Sequence, residues 1–545
     1  MRWNISSPNP PQDQSELLSL LLHNRGIEDQ SEFFSPTSPL DFTFSHVGIE
    51  EAAVARAKER LQRAHAKKEL IIIYGDYDAD GVCATTVLWE TLYSLGYNVK
   101  PFIPQRDKHG YGLSKKGVDE VLLKEKPAIL ISVDNGIVAH EQWQRLKDLG
   151  IYTILTDHHE PDENLPVADC IIHTTKLCGT TVAWMFAREF SREITKHMLD
   201  LCAIATVADQ VQLVGANRSF AKYGIEQLNT TSRLGLQLLI QSSSLTLGEI
   251  DTYGINFGIA PRLNAMGRLE SALDALRVLC TKNKEKAAEL ITKIQDTNHT
   301  RQDLTQVLLE KAMSRASEWK DEHIILIEDT DFHEGVIGLI AGKLMETFNK
   351  PTIVLSVGTL TAKGSARSLA GVHITNLLRE FRGAYLLEVG GHPLAAGLKI
   401  ETSKIEAFRK KLYARARELI SLESLEPVLN LDCVLPPSLL TLETAKSVQM
   451  LAPFGNGNKE PVFAFEEMNL ANAKLVGKEL RHLKLSVEPS IHHGKDALID
   501  AMAFGKGKMI EMLTLGQTIS LAGNLSINEW RGSQKLQIMV RDFHS

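Results

Sequence analysis

Ile71-Ile72-Ile73-Tyr74-Gly75-Asp76-Tyr77-Asp78-Ala79-Asp80-Gly81 decides how the rest of the chain is read. An apolar run of strand type delivers three carboxylates, at alternate positions, to a glycine turn that opens a helix. Side chains alternate faces along an extended segment, so Asp76, Asp78 and Asp80 leave the strand tip on one side and converge. Like charges so close raise one another's pKa unless something positive sits among them, and hard divalent cations are the usual neutraliser. The stretch reads as a metal site, with a solvated acidic turn as the alternative, because short acidic patterns are common by accident.

Two further stretches repeat the design. Leu130-Ile131-Ser132-Val133-Asp134-Asn135-Gly136 and Tyr152-Thr153-Ile154-Leu155-Thr156-Asp157-His158-His159-Glu160 are each an apolar strand ending in acidic or acidic and imidazole groups. In an open parallel sheet functional residues gather beyond the carboxyl ends of the strands, so the three tips can share one crevice. That crevice would hold Asp76, Asp78, Asp80, Asp134, Asp157, His158 and His159.

At 545 residues the chain is long enough for three or four domains. A hydrophobic share of 43% and a charged share of 23% describe an ordinary globular protein. No stretch has the length of apolar residues that a membrane helix needs, and the amino terminus lacks the pattern of a secretory leader, so the chain is expected in the cytoplasm, away from membranes. Cys83, Cys170, Cys178, Cys202, Cys280 and Cys433 form no C-x-x-C pair and read as small buried hydrophobes in reducing surroundings. A net charge of -7 argues against polyanion binding by the whole surface, so a nucleic-acid substrate would need a localised basic channel.

In chain order, residues 1–45 carry Pro and Ser clusters around short apolar patches and read as a loosely structured lead-in that packs on a neighbour. An amphipathic helix over Gly48 to Lys68 follows. Strands at Glu69–Gly75, Val99–Ile103, Ala128–Val133 and Ile151–Thr156 then alternate with helices at Val82–Leu95, Ser114–Lys124 and Gly136–Leu149, which predicts a parallel sheet covered on both faces. The loop Arg106 to Leu113, with Lys108 and His109, reads as solvated or as a grip for an anion. A helix over Lys196–Val207 leads to Asp209, and Arg262, Asn264 and Arg268 sit among turn formers and small residues. Residues 284–319 read as one or two long polar helices bridging domains, with Asn298 and Arg301 among them. A second α/β unit contains two glycine-rich loops, Lys363 to Ser368 and Glu388 to Gly397, which place exposed backbone beside Arg367 and His392. From about Glu426 short alternating strands predict a small antiparallel barrel, with Lys484, Trp530, Arg531 and Lys535 placed to bind an oligonucleotide.

Gly75 to Gly81, Val133 to Gly136, Asp157-His158-His159 and Val207-Ala208-Asp209 together resemble the four signature motifs of the DHH phosphoesterase superfamily. Pro261 to Arg268, the two glycine-rich stretches and Trp530 to Gln537 make the resemblance specific to the RecJ family within it, over almost the whole chain. What that resemblance implies is a multidomain α/β protein. A lead-in (1–45) precedes a parallel-sheet DHH catalytic domain (46–280), long connecting helices (281–320), a DHHA1 domain (321–425) and a C-terminal antiparallel β-barrel of the OB-fold (426–545), closing into a clamp. The implied activity is 5′→3′ hydrolysis of single-stranded DNA to nucleoside 5′-monophosphates, in recombination and repair. A helicase and a single-strand-binding protein are the implied partners, and the clamp needs only a monomer.

Carried over residue by residue, Asp76, Asp78, Asp80, Asp134, His158 and Asp209 would ligate two Mn2+ or Mg2+ ions, with Asp134 bridging. His159 would contact the scissile phosphate or help protonation, and Asp157 would orient the histidines. Arg106, Arg262, Asn264, Arg268, Ser365, Arg367, Ser368, Gly391 and His392 would hold phosphates. Departures from the family pattern fall in Ile172 to Thr180, which reads as a shortened loop, and in Gln210 to Leu213; neither is expected to touch a ligand of the metals. The alternatives are an oligoribonuclease or cyclic-dinucleotide phosphodiesterase of the same superfamily, and a non-catalytic DNA-binding scaffold.

Overall fold

The computed structural model describes residues 1–490 and 498–544. Strand β1 (Arg2–Ser7) pairs in parallel with Val428–Val434, near the other end of the chain. The helices Gln14–Asn24 and Gln30–Phe34 that follow bury Leu17, Leu21, Leu22 and Phe33 in the core of the C-terminal unit. The lead-in expected to be loose over residues 1–45 is ordered: through Phe34 it joins that unit, while Phe42 and Phe44 are buried in the core of the first α/β unit. Its polar clusters are caps: Asp13, Asp29 and Ser38 each accept an amide at the start of a short helix. Leu21→Ala should cost about 2–5 kcal/mol by leaving a cavity against the barrel. The check is a lowered first transition in calorimetry of the full chain.

Strands β2 (Ile71–Tyr74), β3 (Val99–Phe102), β4 (Ile129–Val133), β5 (Tyr152–Asp157) and β6 (Cys170–His173) form a wholly parallel sheet in the order β3-β2-β4-β5-β6. The apolar runs are buried on both faces, with Ile71, Ile73, Ile129 and Ile131 on one side and Ile72, Tyr74, Leu130 and Leu155 on the other. The winding reverses between β2 and β4, and open sheets of this order bind ligands beyond the strand ends at that point. Both acidic tips, Asp76–Asp80 and Asp134, leave the sheet there. The helix expected from Gly136 begins only at His140, because Asp134 at φ 60° and Gly136 at φ 111° turn the backbone sharply first.

The turn-rich reading of Pro261–Arg268 is corrected: a π-helical turn over Gly254–Ile259 runs straight into a helix over Ala260–Leu269. Pro261 is tolerated in the first turn, where its missing N–H is not needed. Gly267 serves close approach rather than a turn, since a Cβ there would lie 2.0 Å from the Tyr77 carbonyl oxygen.

One helix, Lys284–Ala316, joins the two α/β units. Leu290, Ile291 and Ile294 belong to the first core and Leu308, Ala312 and Ala316 to the second, with Asn298 and Arg301 between. In the second unit β7 (Ile325–Asp329), β8 (Thr352–Val357), β9 (Thr361–Arg367), β10 (Leu386–His392) and β11 (Ala395–Glu401) make a mixed sheet in the order β10-β11-β9-β8-β7. The two glycine-rich stretches expected as loops are thus mainly strands. A Cβ on Gly364 would lie 2.5 Å from Leu355 and 2.8 Å from Leu398, so the glycine lets the flanking strands' side chains meet over β9.

In the C-terminal unit β12 (Val428–Val434) carries β1 on one edge. Strands β13 (Phe463–Val476), β14 (His482–Pro489), β15 (Ile499–Ala503), β16 (Thr518–Trp530) and β17 (Ser533–His544) close into a barrel through β13–β16 pairing, all antiparallel except β15–β17. Among the described residues no helix is long and apolar enough to cross a membrane. All six cysteines are free, and all but Cys280 are buried.

Candidate active site

The loop after β2 is held open by its own backbone. Asp78 caps the helix Ala79–Ser94 by accepting the Gly81 amide at 3.0 Å, and Asp76 accepts the Tyr77 amide at 2.7 Å. Asn264 Oδ1 accepts the Ala79 amide at 2.7 Å, so the helix Ala260–Leu269 positions the acidic turn. That bond uses the Oδ1 of Asn264, the residue expected on a phosphate, and not its Nδ2 donor. Asp80 reaches across to the next helix, where Gly179 and Thr180 donate their amides to its two carboxylate oxygens, each at 2.7 Å. The stretch Ile172–Thr180, read as a shortened loop remote from the ligands, is thus the end of β6 and the start of the helix Gly179–Arg188, and it grips one of them. A side chain on Gly179 would come 2.5 Å from Asp134 Oδ1, so glycine alone fits there.

His158 is the centre of the cluster. Its Nε2 lies 3.1 Å from Asp134 Oδ1, 3.6 Å from Asp209 Oδ2 and 3.7 Å from Asp80 Oδ2. Two sets, Asp80 with His158 and Asp209 and Asp134 with His158 and His159, each bring ligand atoms within 4.8 Å of one another. Among the described residues buried Asp134 Oδ1 and His158 Nε2 make no hydrogen bond, their own 3.1 Å approach being badly aligned for one, an expensive state for a carboxylate and an imidazole unless a cation completes them. Burial and the neighbouring Asp80, Asp78, Asp76 and Asp209 push the Asp134 carboxyl well above the usual range. Burial and Asp78 lift Asp76 to about 7, and burial and Asp80 raise Asp78 and Asp209. A buried set of carboxylates with one imidazole, repelling one another and leaving orphaned donor atoms, fits hard divalent cations.

Asp157 stands apart from this cluster. Its Oδ1 accepts from the His158 and His159 amides at 2.7 and 3.2 Å and pairs with His159 Nδ1 at 2.7 Å, while Oδ2 accepts the Ile137 amide at 2.9 Å. Burial alone would raise this carboxyl, but His159 and the other donors bring it down to about 2. Burial opposes charge on His159, yet its bond to Asp157 outweighs that and lifts it to about 9. With Nδ1 so engaged, His159 Nε2 faces Tyr111 Oη at 3.4 Å and its ring stacks on His392 of the second unit, centroids 6.0 Å apart. The two histidines meet across the cleft between the two sheets.

Beside the carboxylates stands a group of arginines. Arg106 begins a short helix, Arg106–His109, rather than lying in a free loop, and its guanidinium sits 4.4 Å over the Tyr77 ring. Arg268 donates to the Gly335 carbonyl at 3.0 Å, and burial together with Arg106, Arg367 and Arg301 lowers it to about 10. Arg367 donates to Ser365 Oγ at 3.0 Å. Among the described residues Nε of Arg106, Arg262 and Arg301 is buried without a partner. Such mutually repelling guanidiniums await an anion.

Arg301 was assigned no role by sequence reasoning, although it interrupts the apolar spacing at the midpoint of the long helix, beside Asn298, whose Oδ1 accepts its Nη2 at 2.6 Å. Tyr111 and the Gly179–Thr180 amides were likewise missed, since nothing in their local sequence marks them.

Other expected contacts are redirected. His109 is buried against Glu120 at 2.7 Å. Ser368 donates to the Val372 carbonyl at 2.8 Å. Gly391 lies in β10 opposite Ala396, where a Cβ would lie 2.3 Å from the Ala395 carbonyl oxygen. On the barrel Lys484 is paired with Asp500 at 2.6 Å. Trp530 is 70% exposed at the tip of the β16–β17 hairpin, with Arg531 in the turn and 5.8 Å from its ring.

Three family descriptions match in chain order: DHH family, N-terminal domain, over residues 70–206; DHHA1 domain over 321–418; and RecJ OB domain over 431–542. The single-stranded-DNA-specific exonuclease RecJ of Bacillus subtilis (strain 168) is 34% identical, over 99% of this chain and 70% of that protein. The exonuclease of the same name from Escherichia coli (strain K12) is 30% identical, over 97% of this chain and 96% of its own. The crystal structure of RecJ in complex with Mn2+ from Thermus thermophilus superposes with a TM-score of 0.82 at 28% identity, covering 100% of this chain and 79% of that one.

Proposed function

The chain belongs to the RecJ family, and from that premise we propose that it hydrolyses single-stranded DNA from the 5′ end to nucleoside 5′-monophosphates. It is a metal-dependent exodeoxyribonuclease. The observation that carries the polarity is the arginine group, Arg106, Arg262, Arg268, Arg301 and Arg367, set beside the carboxylate cluster.

Asp76, Asp78, Asp80, Asp134, His158 and Asp209 would hold two Mn2+ or Mg2+ ions. When bound, such ions lower the pKa of a water, align it with phosphorus and stabilise the charge that develops on the phosphoryl oxygens. No side chain of the cluster has to serve as a nucleophile. His159, fixed and kept protonated by Asp157, presents Nε2–H to a phosphoryl oxygen, and Tyr111 limits its swing. The arginines hold a terminal 5′ phosphate in register, which determines the phosphodiester that lies against the carboxylates. His392 stands over His159 from the other sheet, and a cleft narrowed there would admit one strand and reject a duplex. The barrel adds affinity through Trp530 and the charges of Arg531 and Lys535, so binding should weaken with salt.

In this reading the enzyme acts as a cytoplasmic monomer in recombination and repair, on single strands supplied by a helicase and kept open by a single-strand-binding protein. The test is digestion of a 5′-phosphorylated, 3′-labelled single strand with Mn2+, beside its duplex and RNA counterparts. Label-bearing products that shorten stepwise from the 5′ end, with the duplex intact, are expected. Loss of label in the first step would reverse the assigned polarity. Cleavage confined to short RNA or cyclic dinucleotides would move the protein to another branch of the superfamily.

A further inference from the structure

Tyr253 and Phe257 lie on the turn that leads into the helix Ala260–Leu269, and each is 67% exposed. Their rings pack against one another, tilted by 33° with centroids 4.6 Å apart. Two large adjoining rings left to solvent mark a surface that meets another molecule. Their surroundings identify which one. Asn256, between them, accepts from Gln210 Nε2 at 2.9 Å, and Gln210 directly follows Asp209 of the carboxylate cluster. The Gln210 carbonyl in turn accepts Asn456 Nδ2 at 2.8 Å, so the rings stand at the seam between the first unit and the barrel unit. On the other side the carbonyl of Gly258, next to Phe257, accepts Arg262 Nη1 at 2.7 Å, which ties the ring pair to the arginine group. Asp251 caps the far end of the turn through the Gly254 amide at 2.8 Å, with Glu460 nearby. The charge along the turn therefore runs from acidic to basic, and the phosphates of a strand crossing it are drawn towards Arg262.

We propose that Tyr253 and Phe257 form a base-stacking platform, continuous with the arginine group, on which a single strand rests its bases as it enters or spans the cleft. Stacking is indifferent to base identity, because every base has a π face, so the platform would grip any sequence. The inference rests on the single-strand reading above but needs no hydrolysis to be tested. Tyr253 and Phe257 would be binding residues, with no part in bond cleavage.

The test is fluorescence anisotropy of a labelled thymidine oligonucleotide and of its abasic counterpart, on the full chain. Tyr253→Ala and Phe257→Ala should each raise Kd for the oligonucleotide about 10-fold, the scale of one lost base–aromatic stack. Phe257→Trp should restore wild-type Kd, and the abasic strand should bind wild type and alanine variants alike. Tyr93→Ala, which removes a comparably exposed ring from another helix, is the control and should leave Kd unchanged. Melting temperatures should not move, since both rings are exposed. Equal Kd for wild type and both alanine variants would overturn the platform while leaving the exonuclease reading intact. A 10-fold effect in a protein that cuts no DNA would support the platform and defeat that reading instead.

Discussion

Asp134→Ala is expected to lower hydrolysis of single-stranded DNA about 1000-fold or more, equivalent to about 4 kcal/mol of transition-state stabilisation, while the metal-free protein melts no lower than wild type. Asp134 is 2% exposed, at the tip of β4, and among the described residues its Oδ1 has no hydrogen-bond partner. Burial and four other carboxylates, Asp80, Asp78, Asp76 and Asp209, act against its ionised form. Without cations the group is a source of strain, and removing it relieves repulsion at the cost of a small cavity. With cations the balance reverses, because a ligand that binds only the folded state adds about 2.7 kcal/mol at a hundred times its Kd. Wild type should therefore gain melting temperature with Mn2+, and the variant should gain far less. An ordinary structural aspartate would show the opposite pattern, with lost stability in the metal-free state and an undiminished response to Mn2+.

Arg268→Ala should lower kcat/KM on a 5′-phosphorylated strand about 100-fold and erase the preference for a 5′ phosphate over a 5′ hydroxyl. Arg268 bonds the Gly335 carbonyl across the cleft and is surrounded by Arg106, Arg301 and Arg367. An anion there makes charge-assisted bonds in a partly desolvated site, where truncating one partner costs about 2–5 kcal/mol. Arg268→Lys should recover little, because an ammonium cannot reproduce the guanidinium fork. The comparison of phosphorylated and unphosphorylated strands separates this from a folding defect, which would depress both equally.

The parallel sheet and its acidic tips were legible because they are local. Apolar runs such as Ile71–Tyr74 and Ile129–Val133 have a single reading when each ends in carboxylates and a turn, and the structure brings the three tips together as expected. What escaped depends on distant partners. Residues 1–45 look loose alone because the apolar face of Gln14–Asn24 is covered only by residues from the other end of the chain. Gly364, Gly391 and Gly267 suggested loops, yet each answers a backbone or side chain pressed against it from elsewhere in the fold. Lys484 reads as a free charge in the sequence, and its ion-pair partner Asp500 comes from β15, where it lies opposite Ser486. The bonds that Asn264 Oδ1 and Ser368 Oγ make to the Ala79 amide and the Val372 carbonyl were not legible, because those partners are set by the fold. Arg301 became visible as part of the arginine group only once the long helix carried it to Arg262 and Arg268.

The most direct test of the account is calorimetric titration of Mn2+ into the full chain, wild type beside Asp134→Ala, with single-strand hydrolysis measured on the same samples. Two ions should bind wild type, activity should rise with their occupancy, and the variant should lose both binding and activity. Full activity in the variant, or activity in wild type that is indifferent to chelation, would contradict it.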